Sequence, residues 1–443
     1  MRKLRIVFIV VVGLFFYSML LAGGIRHIYT SKDEGRYRLK FLAGPMKFLA
    51  ESSTLMYKML QADEFLQRDT EHPDGFNHIV RQNSFTYPKI LVSYKEERFG
   101  QKFDLMDINT GKVIKSWFPD NKDLYQRGYN ENNPGKPSKQ SDLYFMHALM
   151  LQDSSLVMNS LLTSLLARID KNNEIEWLLN DKVYHHAIEH DQAGNLYVCS
   201  QPFVSGRYDY LPGAYESYKN SLEDDNITII READGKELFS KSVIQILLDN
   251  GYEGLLLSKG QIISDQIHLN DVQPALYDGE FWKKGDLLVS CRNLSTVFLY
   301  RPSTNKILWL KEGPWYNQHD ADFVGSDKIM VFGNNVIRDE TKNDVSVANS
   351  YLSFSKKRPF NDIYVYNFET DSTATPFHEL MKEEGFRTIT SGRSELLDNG
   401  DIFIEETNLG RIIIGDSLKK KIEFVKRIDE DHISSLFWSR IVR

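Results

Sequence analysis

The sequence predicts an all-β fold, a six-bladed β-propeller following an N-terminal transmembrane helix and a short helical segment. Three observations carry this. From Tyr87 onward, short apolar strands alternate with turn residues. A unit of three to four strands recurs in six copies. Histidine, asparagine and arginine fall at like positions in successive copies. One such sheet cannot bury both its faces alone, so the copies should close into a single ring and count as one domain. At 42% hydrophobic and 12% aromatic residues, the chain of 443 can supply that core.

The chain divides into 1–26, an anchor, 27–85, a helical stalk or linker, and 86–443, the propeller. Arg2, Lys3 and Arg5 precede the charge-free run Ile6–Ala22, and the next charge is Arg26. That leaves about 20 residues between charges, enough to span a bilayer. The basic flank predicts a cytoplasmic N-terminus, so the expected location is a bacterial inner membrane, crossed once, with the main domain in the periplasm or extracellular space. A cleaved signal peptide ending near Leu21-Ala22-Gly23 is the competing reading. Ser52–Leu66 has helical apolar spacing through Leu55, Met56, Met59, Leu60 and Phe65.

The first copy reads Ile90–Tyr94, Phe103–Ile108, the turn Asn109-Thr110-Gly111-Lys112, and Val113–Trp117. Pro119–Gln140 reads as a polar linker. The second copy is Ser155–Met158, Ser164–Ile169 and Ile175–Leu178. The third is Asn195–Val198, Ile227–Ile230 and Glu237–Phe239, with Gln201–Asp225 inserted as a surface loop. Ser242–Leu257 predicts a helix capped by Ser242, with Ile244, Leu247 and Leu248 on one face. The fourth copy is Asp286–Ser290, Val297–Tyr300 and Ile307–Leu310, and the fifth Lys328–Phe332 and Asp362–Tyr366. The sixth is Asp401–Glu405, Arg411–Ile414 and Ile422–Val425. Cys199 and Cys291 occupy nearly equivalent positions, but a one-residue offset turns them to opposite sheet faces, so buried thiols are expected.

A formal charge of −7 argues against a nucleic-acid binder. No GxxxxGK[ST] phosphate loop supports a bound nucleotide, and no cofactor is expected. The candidate chemistry lies ahead of the innermost strands. The second copy has His147 there, the third His185, His186 and His190, and the fourth His268 and Asn270. The fifth has His319, and the sixth Ser391 and Arg393. Arg292 ends the fourth copy's first compact strand. Innermost strands line the channel, so such residues converge on one end of the ring. A lone histidine would read as an ordinary core or surface residue, and Arg393 also reads as a structural residue of its blade. Recurrence at one repeat position favours function. Only one of His185 and His186 can face the channel along a regular strand, and His186 is the one chosen.

Three segments resemble the bacterial arylsulfotransferase family: His185-His186-Ala187-Ile188-Glu189-His190-Asp191, His268-Leu269-Asn270 with Asp286–Arg292, and Gln318-His319-Asp320-Ala321. The similarity is strongest over 183–335. It implies a propeller that moves a sulfuryl group between phenols without a nucleotide donor. It implies His319 as the nucleophile, carrying a transient sulfohistidine, and His268, His186 and Arg292 as its catalytic companions. Asn270 and Arg393 are the expected substrate-binding residues, with no metal. The implied partners are a small-molecule sulfate ester donor and a hydroxyl acceptor, besides the membrane at the N-terminal helix. The short helical segment stands where family members carry a β-rich pairing domain, so no dimer follows. The insertion after Cys199, with Tyr208, Tyr210, Tyr215 and Tyr218, falls where it can cover the channel mouth.

The chemistry is sound in its own terms. In sulfuryl transfer, negative charge moves onto the leaving oxygen, where arginine and protonated histidine stabilise it. A neutral imidazole can attack sulfur, and a second histidine can move the proton. Two readings compete. Three histidines from separate blades can ligate zinc, against which Arg292 argues. A membrane-tethered propeller can also serve as a non-enzymatic binding or scaffold module.

Overall fold

A computed structural model describes residues 66–80, 86–95, 101–131, 143–160, 164–208, 211, 215–257, 263–338, 351–353 and 361–443. Six antiparallel sheets form the blades, and each contributes one edge strand to the centre. Those inner strands are Arg440–Val442, Phe145–Met150, Val183–His190, Leu269–Pro274, His319–Val324 and Arg393–Leu396, for blades one to six. Each is followed by the middle strands that the sequence pattern marked. The core lies between blades. Leu149, Val157 and Leu166 of blade two, for example, pack on Ile188, Leu196, Val198 and Ile230 of blade three.

The ring is closed from both ends. Arg440–Val442 completes blade one by pairing with Lys89–Lys95. Gly75–His78 adds a fifth strand outside Lys420–Val425 in blade six. Leu66–Arg68 pairs with His432–Ser434. Residues 66–80 thus correct the helical stalk expected over 27–85: they are strands and turns of the propeller. Elements of three or four residues show no periodicity, and their partners lie at the far end of the chain. The anchor over 1–26 lies outside the described residues, among which no helix is long and apolar enough to cross a membrane.

Three local readings change as well. The linker after Pro119 contains a helix, Asn121–Gly128, whose N-terminus is capped by Asp120 through the amides of Lys122 and Asp123. Ser242 caps its helix through Gln245 as expected, but the helix breaks at Asn250-Gly251 into Val243–Asp249 and Glu253–Leu257. The described part of the insertion after Cys199 is not wholly a surface loop. Tyr208, Leu211, Tyr218 and Leu222 are buried in the core shared by blades three and four. The Tyr208 hydroxyl reaches Asp224 and lies 2.8 Å from Ser242 Oγ. Cys199 and Cys291 are both buried and unbridged.

Along the channel, Glu189, Asp271, Asp320, Asp322 and Glu395 face two guanidiniums, Arg393 and Arg440. Arg440 holds Glu189 at 2.9 and 3.1 Å, and Arg393 lies 3.5 Å from Asp320 and 3.4 Å from Glu395. Carboxylates outnumber cations where water is scarce, so some must retain protons. Burial, reinforced by Glu189, pushes Asp271 well above the ordinary carboxyl range. Its Oδ2 accepts from Ala321 N at 2.8 Å, while Oδ1 has no hydrogen-bond partner. The sign follows: the folded state keeps a proton that the unfolded chain releases, so stability from Asp271 is full in acid and falls as pH rises through the folded pKa. Asp271→Asn keeps the acceptor without the charge. Its Tm should exceed that of the parent by about 1–2 °C at pH 8 and lose that advantage only as pH falls to the unfolded value of 3.8, read by calorimetry.

Candidate active site

Four successive inner strands depart from regular pairing at the same end. The register shifts fall between Phe145 and His147, His185 and Ile188, Leu269 and Asp271, and His319 and Ala321. Each irregularity carries a histidine or directly follows one. His186 (φ 55°), His268 (φ 52°) and Asp320 (φ 51°) adopt the left-handed conformation there, and Ser391 (φ 59°) does so ahead of blade six's inner strand. Such bulges turn a side chain out of the strand's alternation, here toward the channel axis. Polar side chains clasp the backbone at these points from the preceding blade. Asn159 donates to His186 O at 2.7 Å, Asn270 to Gln318 O at 2.6 Å, and Asn334 to Ser391 O at 2.7 Å.

The result is a group of imidazoles. His186, His268 and His319 offer ring nitrogens that all lie within 4.8 Å of one another. His147 stacks obliquely near His186, with centroids 5.9 Å apart, and meets Trp438 edge-on. His186, in its left-handed conformation, is the member of the adjacent pair that joins the group. His185 stands behind it, with Nδ1 atoms 2.8 Å apart, and faces Asp225 at 3.2 Å.

The protonation pattern of His319 is set by its neighbours. Asn334 Nδ2 donates to Ser391 O and, at 3.2 Å, to Thr388 O, so its amide has one orientation and Oδ1 faces His319. His319 Nδ1 lies 2.7 Å from that oxygen and must carry the proton. Nε2 then holds a lone pair, which accepts from Ser391 N–H at 3.3 Å. Burial, with Arg292 next in weight, holds the His319 pKa well below its ordinary value, and His186 is lowered by burial and the surrounding imidazoles. Both rings are neutral. His268 Nδ1 instead meets Asp265 Oδ2 at 2.5 Å. Burial would raise the Asp265 carboxyl, but the hydrogen bond and charge of His268 outweigh it and keep it ionised.

Of the residues expected from the sequence, His186, His268 and His319 are brought together, and Arg292, buried in the turn Arg292–Leu294, exerts its charge on His319. Asn270 is in the adjoining wall. Its Nδ2 is taken by Gln318 O, and Oδ1 is buried without a hydrogen-bond partner. Arg393 lies with Asp320 and Glu395. It lines a cavity of about 500 Å³ that also includes Met150, His190, Pro274, Phe323 and Val442, near the distal ends of the inner strands. That cavity contains none of the three grouped histidines, so the convergent nitrogens rather than cavity size identify the site.

The sequence profile of the arylsulfotransferase (ASST) family matches residues 147–427, which span five blades and all the grouped side chains. The chain belongs to the arylsulfotransferase family. Among curated proteins no relative is found. Solved structures similar to it include a Bacteroides caccae protein of unknown function (10% identity, TM-score 0.45, covering 79% of this chain and 98% of that one). Another is hydrazine synthase of Kuenenia stuttgartiensis (8%, 0.39, 74% and 73%). A third is a streptogramin B lyase (8%, 0.38, 80% and 89%).

Within this arylsulfotransferase fold, the residues that sequence reasoning missed stand behind the imidazoles: Asn334, Asp265 and Asp225. Asn334 had a visible signal, since Gly333-Asn334-Asn335 ends a strand directly across from His319. Asn334→Leu removes the acceptor that fixes the His319 tautomer. Transfer activity should fall by about 10²-fold in kcat with little change in donor KM. Asn334→Asp should restore part of it by again accepting from Nδ1–H. Equal losses in both variants would make Asn334 a packing residue only.

Proposed function

We propose that the chain moves a sulfuryl group from an aryl sulfate-type donor to a hydroxyl acceptor in two displacements through Nε2 of His319, without a nucleotide. The observation that carries this reading is the fixed amide of Asn334, which leaves a neutral, unprotonated nitrogen among His186, His268 and Arg292. In the first displacement the Nε2 lone pair forms the N–S bond while the bond from sulfur to the aryl oxygen breaks. Ser391 N–H is released from Nε2 by that attack and becomes available to a sulfuryl oxygen. His268, backed by Asp265, donates a proton to the departing phenolate. In the second displacement His268 takes the acceptor's hydroxyl proton, the new O–S bond forms, and the N–S bond breaks. His186 would hold a sulfuryl oxygen, and Arg292 the charge that develops on the leaving oxygen.

The basic-flanked apolar run at 1–26 supports placing this chemistry outside a bacterial inner membrane. A reporter active only after export, fused behind residue 443, tests that placement.

The decisive experiment uses the full chain with a chromogenic aryl sulfate and a phenol acceptor. Phenol release, a rapid burst without acceptor, and a covalent gain of one SO₃ on the protein are expected. Neither release nor adduct across several aryl sulfates would remove the reading and leave the membrane-tethered binding module in its place.

A further inference from the structure

The grouped imidazoles are also arranged as metal ligands. We propose that His186, His268 and His319 form a site for a divalent transition metal of the zinc class, and that metal and sulfuryl donor occupy it in alternation. The alternation rests on the sulfotransfer reading, whereas the metal site stands without it.

The three ligands come from the starts of inner strands in three consecutive blades, held by a continuous ring of sheets. Their nitrogens lie within 4.8 Å of one another. Tetrahedral zinc with nitrogens at about 2.0–2.1 Å brings them roughly 3.3 Å apart, a movement of under about 1 Å for each ring. The atoms behind the rings supply a second observation. His268 Nδ1 is held by Asp265 Oδ2 at 2.5 Å, and His319 Nδ1 by Asn334 Oδ1 at 2.7 Å. His186 Nδ1 meets His185 Nδ1 at 2.8 Å, and His185 Nε2 lies 3.2 Å from Asp225 Oδ1. All three rings have Nδ1 engaged by an outer partner, which leaves Nε2 as the ligating atom, and in His319 ligation would replace the bond that Nε2 accepts from Ser391 N–H. Metal-binding histidines are oriented in this way, by carboxylates and amides behind them.

Charge no longer opposes a cation. Asp265 stands behind His268 and Asp225 behind His185, two carboxylates against the one guanidinium of Arg292, whose charge also reaches His319. Three imidazoles with two carboxylates and one guanidinium suit a divalent ion with an open fourth position. Ligation uses the His319 lone pair that attacks sulfur, so a chain holding metal cannot accept a sulfuryl group.

Cobalt(II) titration of the chelator-treated full chain, read by the intense visible bands of tetrahedral cobalt, tests the site. One equivalent should bind, with the spectrum lost in His186→Ala and in His268→Ala. Asp265→Asn keeps all three ligands and should weaken binding about 10–100-fold. Melting curves check that each variant folds. No one-to-one spectrum in the folded parent, or a spectrum unchanged in both histidine variants, overturns the metal site. Zinc should raise the apparent KM for an aryl sulfate roughly tenfold when present at about nine times its Kd, with kcat unchanged. Zinc that lowers kcat alone overturns the alternation. Cobalt binding in a chain with no transfer activity when metal-free would keep the metal site and remove the sulfotransfer reading.

Discussion

His319→Asn should lower sulfuryl transfer by at least about 10⁴-fold and abolish the expected covalent SO₃ adduct, the largest effect that the proposed reaction implies. The expectation rests on geometry that singles out one nitrogen. Nδ1 of His319 is occupied by Asn334, so the lone pair is on Nε2, which stands near the neighbouring imidazoles and, among the described residues, is engaged by Ser391 N–H alone. Asparagine retains polarity near Asn334 and Ser391 but offers no basic nitrogen. Intact mass after rapid quenching reads the adduct, and a melting curve checks the fold. A glycine at the same position gives a sharper test, because added imidazole can enter the space and restore phenol release without restoring the adduct on protein. An adduct that persists in His319→Asn would move the nucleophile to His186 or His268 and sink the assignment.

Much of this site was legible because a propeller repeats. A histidine ahead of an inner strand says little in one blade. His147, His186, His268 and His319, placed alike in four blades, say that one end of the channel is built from imidazole. What the sequence did not disclose is how they are aimed. The bulges at His186, His268 and Asp320 contain no glycine, the usual mark of a left-handed residue, so strand alternation was the wrong guide there. The clasp residues were hidden for a related reason. Asn159, Asn270 and Asn334 each bond the backbone of the next blade, a contact set by ring closure rather than by local pattern. The strands that make the closure were missed because Gly75–His78 and Arg440–Val442 are too short to show a period. Arg393 was grouped with the histidines by its place ahead of blade six, yet its long side chain is held by Asp320, Glu395 and Ser439 O within the channel. Position in a repeat located the backbone correctly, while the acids around it decided where the charge went.

Arg292 carries the second large effect. Arg292→Leu should lower kcat/KM by about 10²–10³-fold, the usual loss when one preorganised donor to a developing charge is removed. Where the guanidinium acts decides the form of that loss. A sulfate ester begins with its negative charge on the sulfuryl oxygens and transfers it to the leaving oxygen as the bond to sulfur breaks. If Arg292 only holds the sulfuryl oxygens, ground and transition states gain alike, and the variant raises KM equally for every aryl donor. If it faces the leaving oxygen, kcat falls, and falls furthest for donors whose phenols are poor leaving groups. Its charge acts on both His319 and Asp265, the carboxylate behind His268. Because it acts on the carboxylate behind the proposed proton donor, the expectation is that it faces the leaving oxygen. A series of aryl sulfates of graded phenol pKa should therefore show a steeper dependence on leaving group in Arg292→Leu than in the parent. Arg292→Lys, which keeps the charge without the planar fork, should recover part of kcat. An unchanged slope with a uniform rise in KM would reduce Arg292 to a binding residue and leave His268 to carry the leaving-group chemistry alone.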